Sequence, residues 1–136
     1  MFEILEHTAD IGFRVRAARL EGLFQSAAEA LAAIACEPEG IEARQAYPLE
    51  ASGYDAESLL VNWLNEVLYL WDARRLALRR FRVLELTLER VAGEALGEAF
   101  DSARHRAKLV VKGVTYHQLR IGQDEQGWFA EVFLDI

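Results

Sequence analysis

The chain predicts an α+β fold, a single domain in which two main helices pack on a mostly antiparallel β-sheet. Three observations predict it. Two segments, about residues 20–36 and 55–71, repeat apolar residues at helical spacing. Six or seven shorter segments alternate apolar and polar residues or form short apolar runs bounded by turn residues. Strands and helices do not alternate as a βαβ architecture requires, and no internal repeat is present. At 136 residues the chain has the length of one domain, and no linker composition divides it, so one domain spans residues 1–136.

The elements follow in order. Phe2, Ile4 and Glu6 alternate with Glu3, Leu5 and His7, a short strand with no strictly polar face. Ile11, Phe13, Val15 and Ala17 alternate with Gly12, Arg14 and Arg16, which is the pattern of a half-buried strand. Leu20, Leu23, Phe24, Ala27, Ala28, Leu31, Ile34 and Ala35 keep helical spacing, and this helix ends before Pro38 and Gly40. Pro38, Gly40, Pro48 and Gly53 interrupt the next stretch and leave room for one edge strand near 43–51. Asp55 is a good N-cap for a helix whose Leu59, Leu60, Trp63, Leu64, Val67, Leu68, Leu70 and Trp71 are apolar over much of its circumference, so it should be central and buried. Leu84, Leu86 and Leu88 alternate with acids and Thr87, while Gly93 and Gly97 are expected to bracket a tight connection. Further strands are expected at 109–112, 114–121 and 128–135.

Composition narrows the function. The hydrophobic fraction is 52%, yet no run approaches the ~20 apolar residues of a membrane span and no basic-then-apolar signal segment opens the chain, so a cytoplasmic protein is expected. A net charge of -7 argues against autonomous binding to RNA or DNA, whose affinity rests largely on Lys and Arg contacts to phosphate. Thirteen of the fifteen basic residues are Arg, densest at Arg74, Arg75, Arg79, Arg80 and Arg82; a solvated turn between helix and strand is the simpler reading, a phosphate or acidic-partner patch the other. The single Cys36 lies among Ala33, Ile34 and Ala35 and reads as a buried structural thiol.

Phosphate-loop and dinucleotide fingerprints are absent, no cysteine pair exists for zinc, and His7, His105 and His117 lack HExxH spacing. The most informative residues are the last two. Asp135 and Ile136 end the apolar run 128–134, so a side-chain carboxylate and a main-chain carboxylate are held together where termini normally fray. Such anions call for a cation or strong donors nearby. Asp10 follows the first apolar segment, and Asp10, Asp135 and the Ile136 carboxylate form the candidate cation site, suited by its oxygen donors to calcium, magnesium or manganese. Asp10 could equally serve an Asx turn. Lys112 could hold a phosphate or carboxylate as a point charge, or simply be solvated. His117 could be a base or ligand, or a hydrogen-bonded structural histidine.

Several segments together resemble the archease family. They are His7-Thr8-Ala9-Asp10-Ile11-Gly12, the run from Glu57 to Glu66 that opens the second helix, Lys112-Gly113-Val114-Thr115-Tyr116-His117, and Phe133-Leu134-Asp135-Ile136. They occur in the family's order across the whole chain. Phe100-Asp101 and His105 resemble the family's polar loop. The resemblance implies an accessory protein of the RtcB-type RNA ligase, which joins 2′,3′-cyclic-phosphate or 3′-phosphate RNA ends to 5′-hydroxyl ends in tRNA splicing and RNA repair. By that resemblance the chain is expected to promote the ligase's guanylylation and turnover without being a ligase itself. The resemblance also implies a divalent cation, calcium in the family, on Asp10, Asp135 and Ile136, and contact of Lys112 with the ligase, with His7 and His117 as further partner-facing candidates. Gly113 stands where alanine is expected, and Asn62 where the family often has an acid.

Two other classes remain open on the residues alone. A small metal-dependent hydrolase would use His7, Asp10, His117 and Asp135, although no nucleophile or paired base is evident. A metal-binding protein-interaction module would need no ligase.

Overall fold

The computed structural model describes residues 2–6 and 10–136. Seven strands and two helices occur in the order β1 (Phe2–Glu6), β2 (Asp10–Ala17), α1 (Leu20–Ala35), β3 (Gln45–Ser52), α2 (Ala56–Asp72), β4 (Leu76–Leu86), β5 (Arg90–Ala99), β6 (Gly113–Asp124) and β7 (Gly127–Asp135). The strands divide into two sheets, β1-β2-β7-β6 and β3-β5-β4, and every neighbouring pair is antiparallel. Both helices bridge them: α1 packs on β2 and β4, α2 on β6 and β3. The α+β class holds, with two sheets in place of one. Among the described residues no helix is long and apolar enough to cross a membrane.

The helices form where the apolar spacing predicts them. Asp55 caps α2, its carboxylate accepting the Ser58 N–H at 2.7 Å while Ser58 Oγ accepts the Asp55 N–H at 3.2 Å, a reciprocal capping box. The Ser58 hydroxyl first, and then the Ser58 N–H, hold the Asp55 carboxyl below the usual range. Alanines at 27, 28 and 30 are fully buried and let α1 approach its neighbours closely. Trp63 of α2 is fully buried and donates its indole N–H to Phe24 O of α1 at 3.0 Å, so the largest core side chain leaves no unpaired donor.

Four sequence expectations give way. The alternation at Leu84, Leu86 and Leu88 does not mark a separate strand: β4 begins at Leu76, register shifts fall after Leu78 and after Val83, and Leu84 and Leu88 are exposed. Bulges break the period of two, so alternation misreads the face. Arg79, Arg80 and Arg82 therefore lie on β4 and not in a turn; Arg79 donates to Pro38 O and Arg82 pairs with Glu94 at 3.0 Å. Gly93 and Gly97 bracket no connection. They lie within β5, where a Cβ would sit 1.9 Å from Arg82 O and 2.0 Å from Ala77 O, because the bulged strand presses its carbonyls into those positions.

The fourth concerns residues 109–112, which form no strand. The last carbonyls of a helix lack intrahelical partners, and this neighbouring segment supplies them. Lys108 N donates to Ala35 O at 2.8 Å, Leu109 N to Ile34 O at 3.3 Å, and Lys108 Nζ to Ala33 O at 3.2 Å. A segment far downstream in the chain thus caps α1, and its backbone donors are taken by the helix instead of a ladder.

The glycines give a paired prediction. Gly97→Ala is expected to lower stability by about 3 kcal/mol or more, since the clash is with backbone. Gly113→Ala meets nothing within 4 Å and is expected to raise stability by roughly 0.5 kcal/mol through the unfolded chain. Urea denaturation of both variants checks the contrast.

Candidate functional site

Register alone assembles the candidate carboxylates. β7 lies between β2 and β6, and Asp135 faces Asp10 on one side and Gly113 on the other. Directly opposed residues of an antiparallel pair project to the same face. Asp10 and Asp135 are therefore cross-strand neighbours on the face of the sheet away from the helices, because Ile11, Phe13, Val15, Val132 and Leu134 point inward. Two opposed carboxylates repel. Asp10 Oδ1 is buried and has no hydrogen-bond partner among the described residues, which is costly for an acceptor unless something else meets it.

The surrounding rows hold this pair in place. Gly12 faces Phe133, whose ring lies where a Cβ on Gly12 would come within 2.7 Å, so the ring covers the bare backbone next to the carboxylates. The next row is charged: Arg14 Nε donates to Glu131 at 2.7 Å, Arg14 reaches Glu3 at 3.2 Å, and Arg120 approaches Glu131 at 3.6 Å. On the other side, Lys112 N donates to Asp135 O at 2.7 Å, fixing the Lys112 backbone at the end of β7. Its ammonium makes no ion pair among the described residues. Asn65 of α2 accepts the Val114 N–H at 3.2 Å and anchors the start of β6.

Asp10, Asp135 and Lys112 are thus brought together, with Ile136 following directly after Asp135. His117 is not in that row. It lies where the β6–β7 register breaks between Thr115 and Arg120, in an arch over residues 116–119 with Gln118 at φ 54°. His117 is exposed, and its backbone N–H is held by Thr115 Oγ1 at 3.2 Å. His7 lies outside the described residues. Among the described residues, no three His, Cys, Asp or Glu side chains gather as a metal cluster. The donors that the register brings together are two side-chain carboxylates, hard oxygens, and the orphaned Asp10 oxygen fits a hard divalent cation.

A second polar centre escaped the sequence reading. Glu98 on β5 is only 7% exposed and accepts the Glu42 N–H at 2.9 Å, the His105 ring at 2.9 Å and the Arg104 guanidinium. His105 Nδ1 accepts the Asp101 N–H at 2.9 Å, so the proton is on Nε2 and is donated to Glu98. The Glu42 backbone donor above all, with His105 and Arg104, outweighs burial and holds the Glu98 carboxyl down to about 2. This network locks the loop that leads into Lys108 and Lys112. No local pattern marks Glu98, since its partners come from residues 42 to 105.

Comparisons with known proteins agree along the full length. A family model described as the Archease protein family (MTH1598/TM1083) matches residues 2–136. Protein archease of Methanosarcina barkeri is 36% identical over 99% of this chain and 95% of its own length, and protein archease of Pyrococcus furiosus is 37% identical over 99% and 98%. The solution structure of Methanobacterium thermoautotrophicum protein 1598 superposes with a TM-score of 0.80 at 29% identity, covering 99% of this chain and 98% of that one. The crystal structure of a Thermotoga maritima archease, described as a possible chaperone, has a TM-score of 0.61 at 20% identity over 97% and 94%, a likeness of fold.

The Glu98 network sets an acid limit. Its carboxyl ionises at lower pH in the folded protein, so the stability it contributes is complete above about 4.5 and is lost as pH falls through about 2. Glu98→Gln is expected to lower stability at neutral pH and to flatten that acid-side fall, as read from urea midpoints between pH 2 and 7.

Proposed function

This chain belongs to the archease family, and on that premise we propose that it is an accessory activator of an RtcB-type RNA ligase in tRNA splicing and RNA repair, promoting the ligase's guanylylation and repeated turnover without being an enzyme. The observation that carries the reading is the opposition of Asp10 and Asp135, with Asp10 Oδ1 buried and unpartnered among the described residues.

In this reading Asp10, Asp135 and the Ile136 main-chain carboxylate hold a divalent cation, calcium by family resemblance, with magnesium or manganese as alternatives. Bound there, the cation neutralises two opposed carboxylates and fixes their orientation. Lys112 is the residue that meets the ligase: its backbone is tied to Asp135, while its ammonium is exposed and available to a phosphate or an acidic side chain. A net charge of -7 suits a partner with a basic cleft, where complementary charge accelerates encounter more than it deepens affinity. Nucleic acid is then bound by the ligase and not by this chain. Of the residues a hydrolase reading would use, His117 lies outside the carboxylate row and His7 outside the described residues.

Multiple-turnover ligation of RNA carrying a 3′-phosphate, by the cognate ligase with GTP and manganese, tests the proposal. A substoichiometric amount of this protein is expected to carry ligation past one turnover; a ligase indifferent to it would overturn the reading. Asp135→Ala and Lys112→Ala are expected to lose activation while remaining folded.

The opposed carboxylates add a sign that a structural role would not give. Asp10→Asn is expected to raise stability by about 0.5 kcal/mol without divalent cation, by relieving repulsion. It is also expected to abolish cation-dependent stabilisation, which at a hundredfold excess over Kd amounts to about 2.7 kcal/mol in the parent chain. Thermal denaturation with calcium, magnesium, manganese and chelator checks both.

A further inference from the structure

The two sheets have four edges, and they are not equivalent. β3 carries Pro48, which has no N–H to offer, and packs beside α2. β4 is covered by α1, whose Gln25 Oε1 accepts the Val83 N–H at 2.9 Å. β6 is broken by the 116–119 arch, and Asn65 takes its Val114 N–H. β1 has none of these protections. It pairs with β2 residue for residue, contains no proline or bulge, and no described residue outside that pairing hydrogen-bonds to its backbone. Phe2 and Ile4, 36% and 42% exposed, continue the apolar face of Val15 and Phe13 to the rim of the sheet, where α1 covers it only in part.

An uncovered apolar edge is an invitation to pairing, which native sheets normally suppress. We infer that β1 is a docking edge onto which the protein partner lays an extended segment as an added strand, with apolar side chains against Phe2 and Ile4 and a basic one toward Glu3. This rests on the activator reading and adds where the partner binds. Charge selects the occupant. A second copy of this chain would bring the same -7 and the same Glu3 against the edge, whereas a basic segment meets complementary charge. Geometry links the edge to the carboxylates as well. β1 and β2 form an antiparallel pair in which Glu6 faces Ile11, so a strand laid on β1 has that one strand between it and the start of β2, where Asp10 faces Asp135. Main-chain hydrogen bonds then provide affinity, and alternate side chains provide selectivity.

Hydrogen exchange of the full chain, alone and with its cognate ligase, reads the claim directly. Backbone amides of residues 2–6 are expected to exchange at least tenfold more slowly in the complex. Phe2→Lys/Ile4→Lys is expected to weaken ligase binding at least tenfold while leaving cation-dependent stabilisation intact. A ligase that neither binds nor responds to the parent chain overturns the activator reading and this inference with it. Binding and activation with unchanged exchange at residues 2–6 overturn the docking edge alone. Protection that grows with this chain's own concentration, without ligase, assigns the edge to a second copy and overturns the inference as stated.

Discussion

The position of β7 between β2 and β6 is the constraint on which the rest depends. A slip of one residue would turn every side chain of β7 to the other face, driving Asp135 into the core and Leu134 out of it. Magnitudes decide the register. Opposed carboxylates cost roughly 0.2–1 kcal/mol, whereas burying each of Leu134, Val132, Phe13 and Val15 contributes roughly 1.5–3 kcal/mol. The apolar face therefore imposes a charge collision that the carboxylates alone would avoid. This is how a fold can hold two anions together without a dedicated loop.

The polar networks extend that constraint across the molecule. Glu98 and His105 fix the loop after β5, Lys108 and Leu109 cap α1, and Lys112 N reaches Asp135 O. One irregular stretch thus connects a buried ion network in the second sheet, a helix end and the carboxylate row of the first. It lacks regular structure because its donors are committed to partners on other elements, and each commitment satisfies a group that would otherwise be unpaired.

Much of this was legible in the residues. Helical periodicity located both helices, Asp55 announced its cap, and Asp10 and Asp135 were nominated as a pair that strand pairing sets opposite one another, whereas Lys112, read as part of a separate polar cluster, joins them through its backbone bond to Asp135 O. What failed, failed for non-local reasons. Leu84 and Leu88 kept a period of two, while a bulge turned Leu84 to solvent and Leu88 fell in the turn beyond β4. Gly93 and Gly97 read as turn residues, although carbonyls of β4 demand them. Residues 109–112 looked like a strand because nothing local says that the Leu109 N–H goes to the end of α1 and the Lys112 N–H to Asp135 O. Glu98 carried no signal, since its donors come from separate loops. The division into two sheets was equally hidden, because alternation reports a strand's faces and not its neighbours.

The order of the strands also carries a consequence for biosynthesis. β2 is made early, but its inner neighbour β7 follows every other described strand in sequence. A nascent chain can pair β3, β4 and β5 and can dock its helices while one edge of β2 stays open. The carboxylate row cannot exist until residues 127–135 have left the ribosome and inserted between β2 and β6. Any product stopped before that point carries Asp10 but not its counterpart, so the opposed pair forms only after β1 to β6 have been made.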